Sequence, residues 1–327
     1  MKRRAFVAFL CSALAAWPLG LRAQQPRKVW RVGFLATYAP AENAEWSEAF
    51  KSGMRALGHA EGGDYAIEYR YAQGDMLRLE KLAAELVALK VDAIFAPNTV
   101  AALAAHKLTR EIPIITATAA DPVGAGLARS LPQPGGNVTG LTALGRELLP
   151  KRVELLRQIL PSIRRVGFIY NPDVAPDLLL FKEFQAGAEK LGIAAVPAVV
   201  RKGEDVPAAY QAMVAKKVDA VIASSTLANV NLRASLVEHA ARHRLLGMYG
   251  SGEFVQLGGL ISYAPNYADQ YRRAAGYIDK IMKGAKPGDL PIEQPTKFEL
   301  VVNLKTARTL GIKIPQSVLL RADRVIE

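Results

Sequence analysis

Two short stretches carry side chains suited to holding a small ligand. Asn98-Thr99 and Ser224-Ser225-Thr226 each follow an apolar run and precede a helical one. Hydroxyls and free backbone N–H groups at a helix start suit an anionic group. A zwitterion also needs an acid for its cationic end, and Asp121 or Glu253 could pair with it. Tyr38, Tyr170, Tyr249 and Tyr263 could wall an aromatic or aliphatic body. Thr37, Thr116, Thr118 and Asn171 sit at further strand ends, and Asn266 lies where the chain would recross. Each residue also has a plainer reading. Thr99 and Thr226 suit helix capping, which coexists with binding. Asp121 suits a turn before Pro122, and each tyrosine suits packing inside its own half. The set is more telling than its members, because it recurs at equivalent positions in two halves of the chain.

Other chemistries find little support. There is no G-x-S-x-G elbow and no phosphate loop, and Pro134-Gly135-Gly136 lacks the spacing of a dinucleotide fingerprint. No cofactor is expected. His239 and His243 are four apart on a helix, with Glu238 beside them, but zinc wants further ligands and none is indicated. An exposed helix face near Arg242 and Arg244 is the preferred reading, and no metal is expected. The formal charge is +12, yet the basic residues are dispersed (Arg110, Lys151, Arg152, Arg164, Arg165, Lys216, Lys217, Arg272, Arg273). No stripe and no binding motif point to nucleic acid; a solvated basic surface accounts for these charges.

The elements that must position the candidates alternate. Val29 to Leu35 reads as a buried strand. Glu42 to Leu57 is a helix with Trp46, Phe50 and Met54 on one face, stopped at Gly58. A strand (65–71), a helix (77–89), a strand (91–95), a short alanine-rich helix and a strand (112–116) follow. Then the pattern restarts. Arg165 to Tyr170 echoes Arg31 to Leu35, and Lys217 to Ile222 echoes Lys90 to Phe95 at an offset of 127 residues. Leu245 to Tyr249 and Leu257 to Leu260 echo the strand before Thr116 and Val123 to Leu127. Two equivalent α/β lobes follow, each a parallel sheet covered on both faces. Pro132 to Gly145, with two prolines and four glycines, suits a crossing segment between them. The tail (helix 267–282, strand 299–302, helix 304–310) has no counterpart in the first half. It fits a chain that returns to the first lobe and crosses again.

The first 23 residues form a separate unit. Lys2, Arg3 and Arg4 precede an apolar run from Ala5 to Gly20, and Leu21-Arg22-Ala23 offers a small residue at the cut. That is a secretory signal peptide, and Arg3-Arg4-Ala5-Phe6-Val7 also looks like a twin-arginine signal. The expected location is the periplasm, by either route. Cleavage would remove Cys11, the chain's single cysteine, and with it any disulfide or thiolate chemistry. It would also remove Lys2, Arg3, Arg4 and Arg22, taking the charge from +12 to +8.

Three stretches carry a family resemblance. Asp121-Pro122-Val123-Gly124-Ala125-Gly126-Leu127, Pro134-Gly135-Gly136-Asn137-Val138-Thr139-Gly140, and Asn303 to Ile312 followed by Ile314-Pro315 together resemble substrate-binding proteins of ABC transporters. The likeness is to the group with tryptophan- and tyrosine-type binders. It implies a type I periplasmic-binding fold, α/β and two-lobed, with about three crossover strands. It also implies a receptor that hands a small-molecule solute to an ABC permease in the inner membrane. An amino acid or related carboxylate is the favoured solute. The expected divisions are a signal peptide (1–23), lobe one (24–142 plus 264–293) and lobe two (143–263 plus 294–327). The expected hinges are Gly136 to Thr142, including Gly140, then Gly259 to Pro265, and Gln294 to Lys297, including Pro295. A monomer is the expected state and catalysis is not. The competing readings are a sensor that docks to a membrane receptor and an enzyme on the same fold.

Overall fold

A computed structural model describes residues 28–327 apart from Arg146 and Ser225. The signal-peptide segment and Cys11 lie outside the described residues. The first sheet holds five parallel strands: β1 (Trp30–Ala36), β2 (Tyr65–Tyr71), β3 (Ala93–Phe95), β4 (Ile114–Ala119) and β5 (Val138–Thr142), in the order β2-β1-β3-β4-β5. Helices α1 (Pro40–Ala56), α2 (Met76–Ala88) and α3 (Thr99–Leu108) link its first four strands. The central strands are buried along most of their length, as parallel strands covered on both faces must be.

Helix α4 (Leu149–Ile159) then leads into the second sheet. Its strands are β6 (Arg165–Tyr170), β7 (Ala194–Val199), β8 (Ala220–Ala223), β9 (Leu246–Tyr249), β10 (Ile261–Pro265), β11 (Phe298–Asn303) and β12 (Arg324–Ile326). The order is β12-β11-β10-β9-β8-β6-β7. The remaining helices are α5 (Ala175–Lys190), α6 (Val206–Ala215), α7 (Leu227–Asn231), α8 (Arg233–Arg242), α9 (Gly252–Gln256), α10 (Tyr267–Met282), α11 (Leu304–Leu310) and α12 (Gln316–Leu319). One feature departs from the all-parallel expectation: β10 and β11 run antiparallel, with Tyr263 opposite Leu300. The two strands are joined through α10, so the chain leaves the sheet at Pro265 and re-enters it from the same end.

Four apolar clusters cover the four sheet faces. On the first sheet, Phe34, Phe50, Phe95, Tyr271 and Ile278 unite α1 and α10 with one face. Leu79, Leu86, Ala101 and Ala105 hold α2 and α3 on the other. On the second, Leu156, Phe168, Phe184, Ile222 and Val302 share one face, and Tyr210, Met213, Leu236 and Phe254 the other. Helix α10 therefore packs with the first sheet although β10 and β11 belong to the second. The tail does return and recross.

The glycine-rich middle stretch is corrected in part. Val138–Thr142 is a fully buried strand, and the crossing is made by the residues after it. Gly140 takes φ +124°, and a Cβ there would run into the Thr116 backbone, so this glycine serves close strand packing. Gly136 lies before β5, at its far end from the crossing, and packs beside Gly288. Neither sits at a lobe connection. Thr142 ends β5, with its N–H donating to Glu293 O and its carbonyl accepting from Gln270 Nε2. Pro265 ends β10, and Pro295 is buried in the return from α10 to β11.

Candidate ligand-binding cleft

In parallel α/β sheets the residues that follow the strands gather at one end, and ligands sit there. Here the strand ends of the two sheets face one another across a cavity of about 100 Å³. The first sheet and its helices contribute Tyr38, Trp46, Asn98, Thr118, Ala120, Tyr267 and Tyr271. The second contributes Arg152, Leu180, Ser224, Thr226, Val230, Ser251 and Glu253. Ala143, Gly145 and Pro265 come from the connections.

One wall is aromatic. Trp46, on the inner face of α1, meets Tyr267 edge-on at 5.8 Å and 88°, Tyr271 at 5.6 Å and Tyr38 at 6.3 Å. Tyr267 and Tyr271 are one turn apart at the start of α10, so both reach the same side. Burial pushes the Tyr271 phenol well above its ordinary range, with Tyr38 and Glu253 adding to the effect, so the hydroxyl stays neutral. Polar groups on this side are already engaged. Asn98 Oδ1 accepts from Ala101 N–H and caps α3, while its Nδ2 donates to Thr37 Oγ1 at 2.8 Å. Thr99 Oγ1 accepts from Ala120 N–H, and Thr118 Oγ1 donates to Pro97 O.

The opposite wall carries unmet polar demand. Arg152 lies on the inward stripe of α4 and is only 2% exposed. Its Nε donates to Tyr263 O at 2.9 Å. Among the described residues no carboxylate pairs with it. Burial pulls the guanidinium down to about 10, with Tyr267 and Tyr263 opposing the shift, so it is still a cation at neutral pH. A buried charge without a counter-charge is costly, and its terminal N–H groups form a fork matched to a carboxylate. On the same wall, the buried hydroxyls of Thr226 and Ser251 make no hydrogen bond of good geometry among the described residues, although Thr226 is near enough to the Asp177 carboxylate to stabilise it. Ser224 Oγ does have one, accepting from Asn229 Nδ2 at 3.2 Å. Glu253, in the first turn of α9, has an interaction of its own.

Of the candidates named from sequence, Tyr38, Asn98, Thr118, Ser224, Thr226 and Glu253 line the cavity. Ser225 lies outside the described residues. The others stand elsewhere. Thr37 and Thr99 are behind the wall and hold its residues in place. Asp121 accepts from Gly124 N–H in a turn, its plainer reading. Tyr170 stacks on Phe181 at 4.4 Å in the core, and Tyr249 stacks on Phe254 at 4.9 Å with its phenol pushed up by burial. Tyr263 packs its ring on Phe298 and offers the cavity's arginine only its carbonyl. Asn171 uses its side chain to accept from Asp173 N–H. His239 is buried rather than on an exposed face: its Nδ1 meets Ser235 O and its ring lies beside Tyr210.

Sequence reasoning missed Trp46, Arg152, Ser251, Tyr267 and Tyr271 as wall residues. Arg152 had a signal. It occupies the i+3 position after Leu149, beside Val153 and one turn before Leu156, so a cation interrupts an apolar stripe. Tyr267 and Tyr271 form an i, i+4 aromatic pair straight after the Asn266 cap, whose Oδ1 accepts from Asp269 N–H.

The family model for ABC transporter substrate binding protein matches residues 40–326. A tyrosine-binding protein of Clostridioides difficile (strain R20291) is 27% identical over 276 residues, covering 83% of this chain and 79% of the relative. A conserved domain protein from Vibrio cholerae O1 biovar El Tor has a structure that matches with a TM-score of 0.85 and 31% identity, over 91% of this chain and 100% of the other. An ABC domain from Streptococcus pneumoniae, in complex with L-Trp, matches with a TM-score of 0.84 and 27% identity, over 91% of this chain and 100% of the other.

Proposed function

The chain belongs to the family of ABC transporter substrate-binding proteins, and we propose that it is an exported receptor for an amino acid or related carboxylate with an apolar, preferably aromatic, body. The solute lies between lobe one (24–142 plus 264–293) and lobe two (143–263 plus 294–327) and passes to a permease in the inner membrane. The observation that carries this reading is Arg152: a buried cation with no carboxylate partner among the described residues, turned to a cleft whose other wall is Trp46, Tyr267 and Tyr271. The solute's carboxylate takes the guanidinium fork and the Ser251 hydroxyl, and its body lies on the aromatic wall. The L-Trp complex of the streptococcal neighbour and the tyrosine-binding relative support the solute class. The family and its neighbours are binders, which supports a role without catalysis.

Closure follows from differential contact, because only the closed form touches the ligand from both sides. Tyr38 of the first half packs against a core cluster of the second. The loop at Gly74 approaches Asn231 so closely that a Cβ at residue 74 would lie 2.9 Å from Asn231 Nδ2. These contacts support reading the arrangement as closed. The hinges are then the connections themselves, after Thr142, after Pro265 and at Gln294 to Lys297.

A thermal-shift screen of residues 24–327 against amino acids, their desamino acids, sugars and nucleosides tests the reading. A ligand at about a hundred times its Kd stabilises by roughly 2.7 kcal/mol, a shift of a few degrees at this size. The expected outcome is a shift confined to carboxylate-bearing compounds. A shift confined to sugars or nucleosides would overturn it.

A further inference from the structure

Basic residues that look dispersed along the chain are gathered by the order of the second sheet. Strands β7, β6, β8 and β9 lie side by side and parallel, so the residues before each meet at one end, opposite the cleft. Lys190 closes α5 ahead of β7, Arg164 and Arg165 lead into β6, Lys216 and Lys217 precede β8, and Arg244 precedes β9. Four adjacent strands span about 15 Å. All six cations are exposed, and none forms an ion pair among the described residues. The acids at this end are Asp219 and Glu189. Asp219 Oδ2 accepts from Arg164 N–H and Arg165 N–H at 2.7 and 2.8 Å, so it is spent on backbone. Helix α11 starts at the same end, where Asn303 N–H donates to Leu260 O, and adds exposed Lys305 and Arg308.

A plainer account covers part of this. A cation suits a helix C-terminus, which explains Lys190, Lys217 and Arg244. It leaves Arg164, Arg165 and Lys216 unexplained. Nor is such a surplus a general feature of the fold. At the matching end of the first sheet Lys28 pairs with Asp92, Arg31 with Glu68 and Lys51 with Glu61. A second observation concerns apolar side chains. Leu191, beside Lys190, Val214, beside the Lys216-Lys217 pair, and Leu257, ahead of β10, are 41%, 43% and 51% exposed. Nucleic acid and other soluble polyanions are met chiefly by cations. A phospholipid surface takes both kinds of group, phosphates against the cations and the acyl boundary against the leucines.

We propose that this end of the second sheet docks on an anionic phospholipid surface. The cleft opens at the other end of the same strands, so it stays free to load while the protein is held there. Docking of this kind does not depend on which solute the cleft takes.

The test is flotation of residues 24–327 with two kinds of vesicle, phosphatidylcholine alone and an equal mixture of phosphatidylcholine and phosphatidylglycerol. One variant combines Arg165→Glu, Lys217→Glu and Arg244→Glu. A control combines Lys81→Glu, Lys90→Glu and Arg110→Glu on the first half, with the same change in net charge. Thermal unfolding of each reports its fold. Wild type is expected to float with the mixed vesicles only, and less so as salt is raised, since exposed charges are screened. The second-sheet variant is expected to lose roughly a hundredfold or more in apparent affinity, and the control to stay within about twofold. Leu191→Ser with Leu257→Ser is expected to cost a further several-fold on the mixed vesicles. Absence of flotation by wild type overturns the proposal, as does equal loss in the two triple variants, which would trace binding to net charge alone. Tighter binding to duplex DNA or heparin than to the mixed vesicles, unaffected by the serine substitutions, would assign the surface to a soluble polyanion and overturn it too.

Discussion

The two walls of the cleft share one pair of sequence-equivalent strand ends, Asn98-Thr99 and Ser224 to Thr226, yet they are finished to different degrees. On the lobe-one side Asn98 and Thr99 are fully employed, with Asn98 capping α3 and holding Thr37, and Thr99 bonded to Ala120 N–H. On the second-sheet side, among the described residues, Thr226 and Ser251 make no hydrogen bond of good geometry and Arg152 has only a backbone carbonyl. A satisfied wall gains nothing polar from a ligand, so its contribution is shape and apolar contact. An unsatisfied wall is destabilised until the ligand arrives, so its interactions appear as binding energy and as selectivity. The cleft thus pairs a platform with a reader.

The largest effect that would break this contrast is Arg152→Met. Affinity for carboxylate-bearing solutes should fall by roughly a hundredfold or more, because the ligand's buried charge loses its partner. Apo stability should hold or rise, by up to about 1 kcal/mol, since an uncompensated buried charge is removed. Chemical denaturation beside calorimetry checks both signs. Next, Trp46→Leu should weaken amino acids and their desamino acids by the same factor, roughly tenfold, through lost aromatic contact. A change in the ratio between the two probes would contradict a wall that reads only the body.

The sharpest pairwise comparison is Thr99→Val against Thr226→Val. The first should cost roughly 0.5 kcal/mol of stability, because the bond to the solvent-exposed Ala120 N–H is lost and water takes its place, and leave affinity near wild type. The second should leave apo stability within about 0.5 kcal/mol, as no bond is lost, and lower affinity for amino acids. Equal behaviour of the two would erase the distinction between the walls. The smallest effect concerns pH. Burial raises the Asp177 carboxyl above its ordinary 3.8. As pH rises past that value the unfolded chain releases this proton first, so the native state holds more protons and stability falls with pH. In Asp177→Asn this slope is absent, so urea unfolding across the acid range should favour the variant increasingly as pH rises.

Much of the fold was legible because buried parallel strands are continuous apolar runs and the second half restates the first, from Arg31 to Leu35 and again from Arg165 to Tyr170. Strand β5 was not, since Val138 to Thr142 is short, holds Gly140 and directly follows the Pro132 to Gly136 run of prolines and glycines. Its glycine is required by contact with Thr116, a neighbour that local sequence does not reveal. The cleft was half legible for a similar reason. The rule that ligands sit beyond strand ends finds loop residues such as Asn98, Ser224 and Thr226. It does not find side chains that reach the same space from helices, as Trp46, Arg152, Tyr267 and Tyr271 do. Arg152 was counted among dispersed surface charges. Only its place in an apolar stripe marks it as buried.

The most direct measurement is the calorimetric titration of residues 24–327 with L-tryptophan, in wild type and in Arg152→Met, with tryptamine as the probe that lacks a carboxylate. The account predicts that wild type binds L-tryptophan, that the variant shows no measurable binding at the same concentrations, and that tryptamine binds neither protein. Tryptamine binding as tightly as L-tryptophan, or equal affinity in the two proteins, would contradict the assignment of the cleft to a carboxylate held by Arg152.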